Sequence, residues 1–175
     1  MSAADFQTFY DFIEAKDNDG QPFHITEGDP GGATVYGWTI GMWERIAPLH
    51  GIRDLSMDNF KLQTKATLLP LTRATYWNGV QGDHLPPGVD VFWADFQFGS
   101  GRATRVLQGT MGLDPDGVIG PITLRSCASC ADIAGLLERF LDARQEYYDG
   151  CGFRDRWPGL YRRAKASYAL ARSMI

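Results

Sequence analysis

The sequence has no long hydrophobic run, and no apolar stretch approaches the roughly 20 residues that a membrane-spanning helix needs. Its first residues, Met1 to Asp5, show no basic segment followed by an apolar core, so no secretory signal is visible. We therefore expect a chain that is synthesised in the cytoplasm without a signal peptide and that makes no stable membrane insertion.

Cysteine and histidine are scarce, with three of each in 175 residues. Cys127 and Cys130 have the spacing of half a zinc site, but only Cys151 follows them and the histidines lie far upstream. The stretch Asp17 to Gly20 begins like a calcium loop, but the glutamate expected at the twelfth position is absent. We therefore expect no metal and no cofactor. The three cysteines are expected to be structural thiols in a chain that folds in a reducing compartment.

An excess of positive charge is also missing, since the formal net charge is −4. The charge is uneven, because residues 1–100 carry a net −7 and residues 101–175 a net +3. A nucleic-acid binder is usually basic overall, so this class is not expected. The basic second half can either be ordinary solvated surface or help to hold an anionic polymer.

What the sequence does contain is a mainly helical pattern with one short β segment. Phe6, Phe9, Tyr10 and Ile13 recur at the spacing of one helix face and predict a helix over residues 3–15. Further helices are predicted at 41–49, 57–69, 71–78, 89–109 with a possible break at 99–101, 121–127, 131–149 and 157–173. The chain has no repeat and no clear linker, so we expect a single domain over residues 1–175 and a monomer.

Two carboxylates and a hydroxyl are the candidate site residues. Glu14 follows the apolar stripe of the first helix, at its edge, where partial desolvation favours the protonated form that a general acid needs. Asp29 opens a proline- and glycine-rich turn, and Thr34 follows it. Glu27 lies two residues before Asp29 and is a rival for the acid.

Aromatic residues follow the turn in a predicted short strand over residues 35–39. Tyr36 and Trp38 offer apolar faces that can stack on sugar rings, although such faces are as often plain core. Gly37 between them suggests the close approach of another backbone or of a ligand.

In order, these segments resemble glycoside hydrolase family 108, the phage-type lysozymes or N-acetylmuramidases. The family has a helix ending in Glu-Gly-Gly and then a loop of the form Asp-x-Gly-Gly-x-Thr-x-x-Gly-Ile-Thr, and residues 6–14 and 29–39 are similar to it. The order continues with Tyr76-Trp77, Leu85-Pro86, Asp90 to Phe96, Arg102-Ala103 and Leu107-Gln108. Asp116 to Thr123 is similar to the Asp-Gly-x-x-Gly-x-x-Thr motif of the peptidoglycan-binding-like segment that closes these enzymes.

The chain departs from the family pattern at three places. Ala15 and Lys16 replace the two glycines after the glutamate, and Gly99 stands where an asparagine is expected. The stretch from Glu14 to Asp29 is also longer than in the family. Glu14 ranks above Glu27 because only Glu14 follows the helix that the family pattern requires.

The resemblance implies a mainly α, lysozyme-like helical domain with a small β-hairpin region near residues 29–40. It divides the domain into a catalytic part, residues 1–109, and a peptidoglycan-binding-like helical part, residues 110–175. The implied activity is hydrolysis of the β-1,4 bond between N-acetylmuramic acid and N-acetylglucosamine, with bacterial peptidoglycan glycan strands as the partner. The enzyme would serve endolysin-type lysis or wall remodelling, in the periplasm or outside the cell after release.

The implied roles are catalysis by Glu14, Asp29 and Thr34, and substrate binding by Tyr36, Trp38 and Asp95. The analogous order of glutamate, aspartate and threonine in other phage lysozymes implies inversion, although retention stays open. Two other functions also stay open, namely a non-catalytic peptidoglycan-binding protein and a lytic transglycosylase that uses a single glutamate.

Overall fold

Helices dominate the computed structural model, which describes residues 3–17, 22–25 and 31–175. Within these ranges the α-helices are α1 (Ala3–Asp17), α2 (Ile40–Ile46), α3 (Met57–Lys61), α4 (Lys65–Thr72), α5 (Val89–Ser100), α6 (Ala103–Thr110), α7 (Pro121–Ala128), α8 (Ile133–Gly150) and α9 (Pro158–Arg172). The strands are β1 (Phe23–Ile25), β2 (Ala33–Val35) and β3 (Trp38–Thr39). The predicted mainly α class with a small β region is therefore confirmed.

The contacts divide the chain into two compact units. The sheet unit is Tyr10–Thr75, and the helical unit combines Met1–Phe9 with Tyr76–Ile175. In the helical unit, α5 packs against α9, and α6 packs against α8. The predicted division into residues 1–109 and 110–175 therefore does not coincide with these units.

The sheet unit contains an antiparallel sheet in the order β1-β2-β3. Residues Tyr36 and Gly37 form the two-residue turn that pairs Val35 with Trp38, with φ values of 45° and 80°. Positive φ at both positions is the mark of a type I′ hairpin turn, which matches the twist of the flanking strands. The glycine that suggested a close approach to a ligand is thus explained by the backbone of the turn.

The predicted helix over residues 57–69 is wrong in its length, because the chain forms two helices there. The Thr64 hydroxyl accepts a hydrogen bond from the Thr67 backbone N–H, and the Thr67 hydroxyl accepts one from the Thr64 backbone N–H. This capping box starts a new helix at Lys65, so α4 is separate from α3. Pro70 lies inside α4, and a π-helical turn follows at Arg73–Trp77.

The helical unit is built around α5, most of whose residues are buried. Phe92 and Trp93 both pack against Phe140 of α8, and Phe96 packs edge-on against Tyr148 of the same helix. The break that the glycines at 99–101 suggested occurs at Gly101, which has a φ of 67° and separates α5 from α6.

Asp90 is a buried carboxyl in the first turn of α5, with 1% of its surface exposed. Burial raises its pKa to about 7, and Asp5 adds to the rise, although hydrogen bonds from backbone N–H groups oppose it. The folded state therefore keeps a proton that the unfolded chain releases near its ordinary pKa of about 3.9. Stability should consequently fall as the pH rises from about 4 through 7.

We expect Asp90→Asn to flatten this pH dependence. At pH 8 the variant should be more stable than the wild type by about 1 to 3 kcal/mol, because no carboxylate has to ionise in the core. Chemical denaturation at pH 5 and pH 8 measures both slopes, with the exposed Asp114→Asn as the control. Equal slopes for the wild type and Asp90→Asn would show that Asp90 does not titrate differently on folding.

Candidate active site

Glu14 lies in the last turn of α1, one position after the fully buried Ile13. Its side chain is 17% exposed, so it is neither a solvated surface group nor a core residue. One carboxylate oxygen, Oε1, is shielded from solvent and has no hydrogen-bond partner among the described residues. Such a group is unusual in a folded protein and is often found at functional positions.

The other oxygen of Glu14, Oε2, is 2.6 Å from the Nζ of Lys65. Lys65 is the first residue of α4, and its backbone carbonyl accepts a hydrogen bond of 3.1 Å from the Tyr10 hydroxyl. The hydrogen bond to Glu14 raises the pKa of Lys65. A cation thus faces the candidate acid.

Two tyrosines complete this cluster around Glu14. Tyr10 lies one helical turn before Glu14, and burial followed by the negative charge of Glu14 raises the pKa of its phenol. The ring of Tyr36 is half-buried, and its centroid is 5.7 Å from the Nζ of Lys65. Of the three predicted substrate-binding residues, Tyr36 is therefore the one that lies near Glu14.

Thr34 lies in the middle of β2, where it pairs with His24 of β1 and Thr39 of β3. Only 9% of its surface is exposed, and its hydroxyl makes a long hydrogen bond of 3.4 Å to the Gly32 carbonyl. This hydrogen bond is weak, so the hydroxyl can exchange it for a better partner. Asp29 and the rival Glu27 lie outside the described residues.

Trp38 is buried, which contradicts its predicted role in substrate binding. Its ring is fully buried, and its Nε1 donates a hydrogen bond of 3.0 Å to the Thr72 hydroxyl. A side chain with no exposed surface cannot stack on a sugar, so we correct the prediction and assign Trp38 to the core. Residues Trp38 and Val35, paired across the hairpin, both point into that core.

Asp95 is likewise buried, in the helical unit, with no exposed surface. Its two oxygens accept hydrogen bonds from Arg144 at 2.7 Å and from Arg163 at 2.8 Å. Burial opposes ionisation of Asp95, but the two guanidinium groups outweigh it and hold its pKa below the usual range. The predicted contact with substrate is therefore replaced by a buried ion network that joins α5, α8 and α9.

The described part of the chain contains no group of three or more histidine, cysteine, aspartate or glutamate side chains placed to hold a metal ion. Of the helices described, none is long and apolar enough to cross a membrane. The described side chains that contact Glu14 or Lys65 carry carboxyl, phenol and ammonium groups.

Lys65 is the residue near Glu14 that sequence reasoning missed. It is 51 positions from Glu14, and no local pattern links two residues at that separation. The signal that could have pointed to it is Thr64-x-x-Thr67, which marks a helix start and fixes the direction of the lysine.

The fold belongs to the mainly helical, lysozyme-like class, with a glutamate in the last turn of its first helix. The sequence model of the family Glycosyl hydrolase 108 matches residues 18–101. The structure of Brucella abortus SagA is similar, with a TM-score of 0.85 and 30% sequence identity, over 99% of this chain and 97% of that chain. Comparison with curated proteins gives no match.

The chain therefore belongs to glycosyl hydrolase family 108 and is a glycoside hydrolase. The family match includes Asp29, Thr34, Tyr36, Trp38 and Asp95, whereas Glu14 lies four residues before it. The position of Glu14 is instead covered by the structural similarity, which extends over almost the whole chain.

Proposed function

We propose that the chain hydrolyses bacterial peptidoglycan at the β-1,4 bond between N-acetylmuramic acid and N-acetylglucosamine. The observation that carries this proposal is the Glu14 carboxyl, partly buried at the end of α1, with one oxygen held by Lys65 and the other without a partner among the described residues. Membership of a glycoside hydrolase family supplies the reaction type.

Glu14 is the general acid in this mechanism. It donates its proton to the leaving glycosidic oxygen while the anomeric carbon gains oxocarbenium-like positive charge. The proton must be on Glu14 when the bond breaks, so the ion pair with Lys65 has to loosen first.

Asp29 is the second carboxylate, and Thr34 helps it to hold the attacking water. The water attacks the anomeric carbon from the face opposite the leaving group, and its proton passes to Asp29. The weak hydrogen bond of the Thr34 hydroxyl leaves it able to contact this water. An inverting course requires a separation of roughly 6.5–9.5 Å between the two carboxyls, which leaves room for the water.

Tyr36 is the residue we assign to sugar contact. Its half-buried ring lies at the hairpin turn beside Lys65, so part of its face is open to a ligand. The enzyme acts as a monomer. It reaches the bacterial cell wall in the periplasm or outside the cell, after release from the cytoplasm.

Digestion of purified peptidoglycan tests the proposal. The wild-type chain should clear a suspension of purified cell walls, and clearing is followed as a fall in turbidity. Sedimentation of the walls measures binding in the same samples. Binding without clearing would contradict hydrolysis and favour a non-catalytic peptidoglycan-binding protein.

A further inference from the structure

We propose that Lys65 is a positioning residue that holds the Glu14 carboxyl in the orientation from which Glu14 acts as an acid. The inference rests on the proposed function, since it assigns Lys65 a role only if Glu14 is the general acid.

The geometry of the pair differs from that of an ordinary surface salt bridge. The two residues are 51 positions apart and belong to different helices, so no helical repeat brings them together. The carboxyl is 17% exposed, whereas the lysine side chain is 56% exposed. The acid is thus mostly shielded and its cation is mostly open to solvent, and a ligand can reach the cation.

Lys65 is also fixed at its backbone. Thr64 and Thr67 form the capping box that begins α4, and the Tyr10 hydroxyl holds the Lys65 carbonyl at 3.1 Å. The same tyrosine lies one turn before Glu14 on α1, so it links the backbone of the cation to the helix of the acid. The ammonium therefore faces Glu14 from an anchored helix end rather than from a mobile loop.

The charges around Glu14 come from three elements in the described residues. Lys65 on α4 contributes a positive charge, and Asp11 on α1 is the other ionisable carboxyl that acts on Lys65. Tyr10 on α1 stays neutral, because burial raises the pKa of its phenol. Tyr36 presents its ring to the ammonium from the hairpin turn.

The ammonium at 2.6 Å from Oε2 fixes the rotation of the Glu14 carboxyl. A general acid must be held within hydrogen-bond reach of the oxygen that it protonates, and a displacement of about 1 Å can cost on the order of 10²-fold in rate. Lys65 therefore supports the rate of the chemical step rather than the binding of the glycan.

The experiment measures the rate of cell-wall clearing against wall concentration for the wild type, Lys65→Met and Lys65→Arg, and sedimentation measures wall binding in the same samples. Methionine removes the charge and keeps most of the apolar side chain, whereas arginine keeps the charge. With Met we expect the maximal rate to fall by about 10- to 100-fold with little change in wall binding. With Arg the maximal rate should stay near that of the wild type.

An unchanged maximal rate in Lys65→Met would overturn the inference. A folded Lys65→Arg variant as slow as Lys65→Met would overturn it too, because the positive charge would then not be what holds the carboxyl. Thermal unfolding of each variant verifies that the fold is intact. If the wild type clears no cell walls at any pH, the failure lies in the proposed function and not in the role of Lys65.

Discussion

Replacing Glu14 by Gln should leave a folded chain that no longer clears peptidoglycan. Glutamine keeps the shape of the side chain but has no acidic proton, so the leaving oxygen would depart without general acid catalysis. Such catalysis is worth on the order of 10²- to 10⁴-fold in rate. The variant also loses the ion pair with Lys65, whose side chain is 56% exposed, so stability should change by less than about 1 kcal/mol. Clearing rates and thermal unfolding midpoints measure the two effects separately.

Two matched variants make the Glu14 result specific. Glu44 is exposed on α2 in the same unit, and Glu44→Gln should clear walls at the wild-type rate. Glu27→Gln tests the rival acid. If Glu14 is the general acid, this variant should still clear walls. Normal clearing by Glu14→Gln together with loss of clearing by Glu27→Gln would transfer the role to Glu27.

The second large effect is expected from Asp95→Asn, which removes the anion shared by Arg144 and Arg163. Asp95 and Arg144 have no exposed surface, and Arg163 is 12% exposed. Breaking a buried ion pair by removing one partner leaves an uncompensated charge and typically costs about 3–5 kcal/mol. We expect a loss of this size in the free energy of unfolding, measured by chemical denaturation at neutral pH.

Asp149→Asn is the control for this measurement. Asp149 pairs with Arg154 and accepts a hydrogen bond from Tyr161, but its side chain is 37% exposed. The same chemical change at this solvent-screened pair should cost much less than the change at Asp95. Equal losses for the two variants would show that the burial of the Asp95 network does not contribute to stability.

The pH dependence of the Asp95 network has a definite sign. Its pKa is lowered in the folded state, because Arg163 and Arg144 together outweigh the effect of burial. The stabilisation is therefore present above the unfolded pKa of about 3.9 and is lost as the pH falls through the folded value. Asp90, with its raised pKa, has the opposite effect and weakens the fold as the pH rises.

Sequence reasoning could predict the helices because their signals are local. The stripe of Phe6, Phe9, Tyr10 and Ile13 gave α1, and all four side chains are buried. The break between α5 and α6 was visible as glycines, one of which takes a positive φ. β1 was missed, because its three residues have no alternating pattern long enough to identify a strand.

The candidate site was less predictable, because its contacts join distant parts of the chain. The family pattern pointed to Glu14, but nothing near it in sequence indicated Lys65 as its partner. Trp38 and Asp95 were assigned to substrate because the family resemblance implied that role. Their partners, Thr72 at 34 positions and Arg144 at 49 positions, could be identified only in the folded chain.

The most direct test of the account is mass spectrometry of the fragments that the wild-type enzyme releases from purified peptidoglycan. Hydrolysis between N-acetylmuramic acid and N-acetylglucosamine predicts fragments with a reducing N-acetylmuramic acid end, to which one water has been added. Fragments with 1,6-anhydro-muramyl ends, which lack that water, would contradict hydrolysis and indicate a lytic transglycosylase. A complete absence of released glycan fragments would contradict the account as a whole.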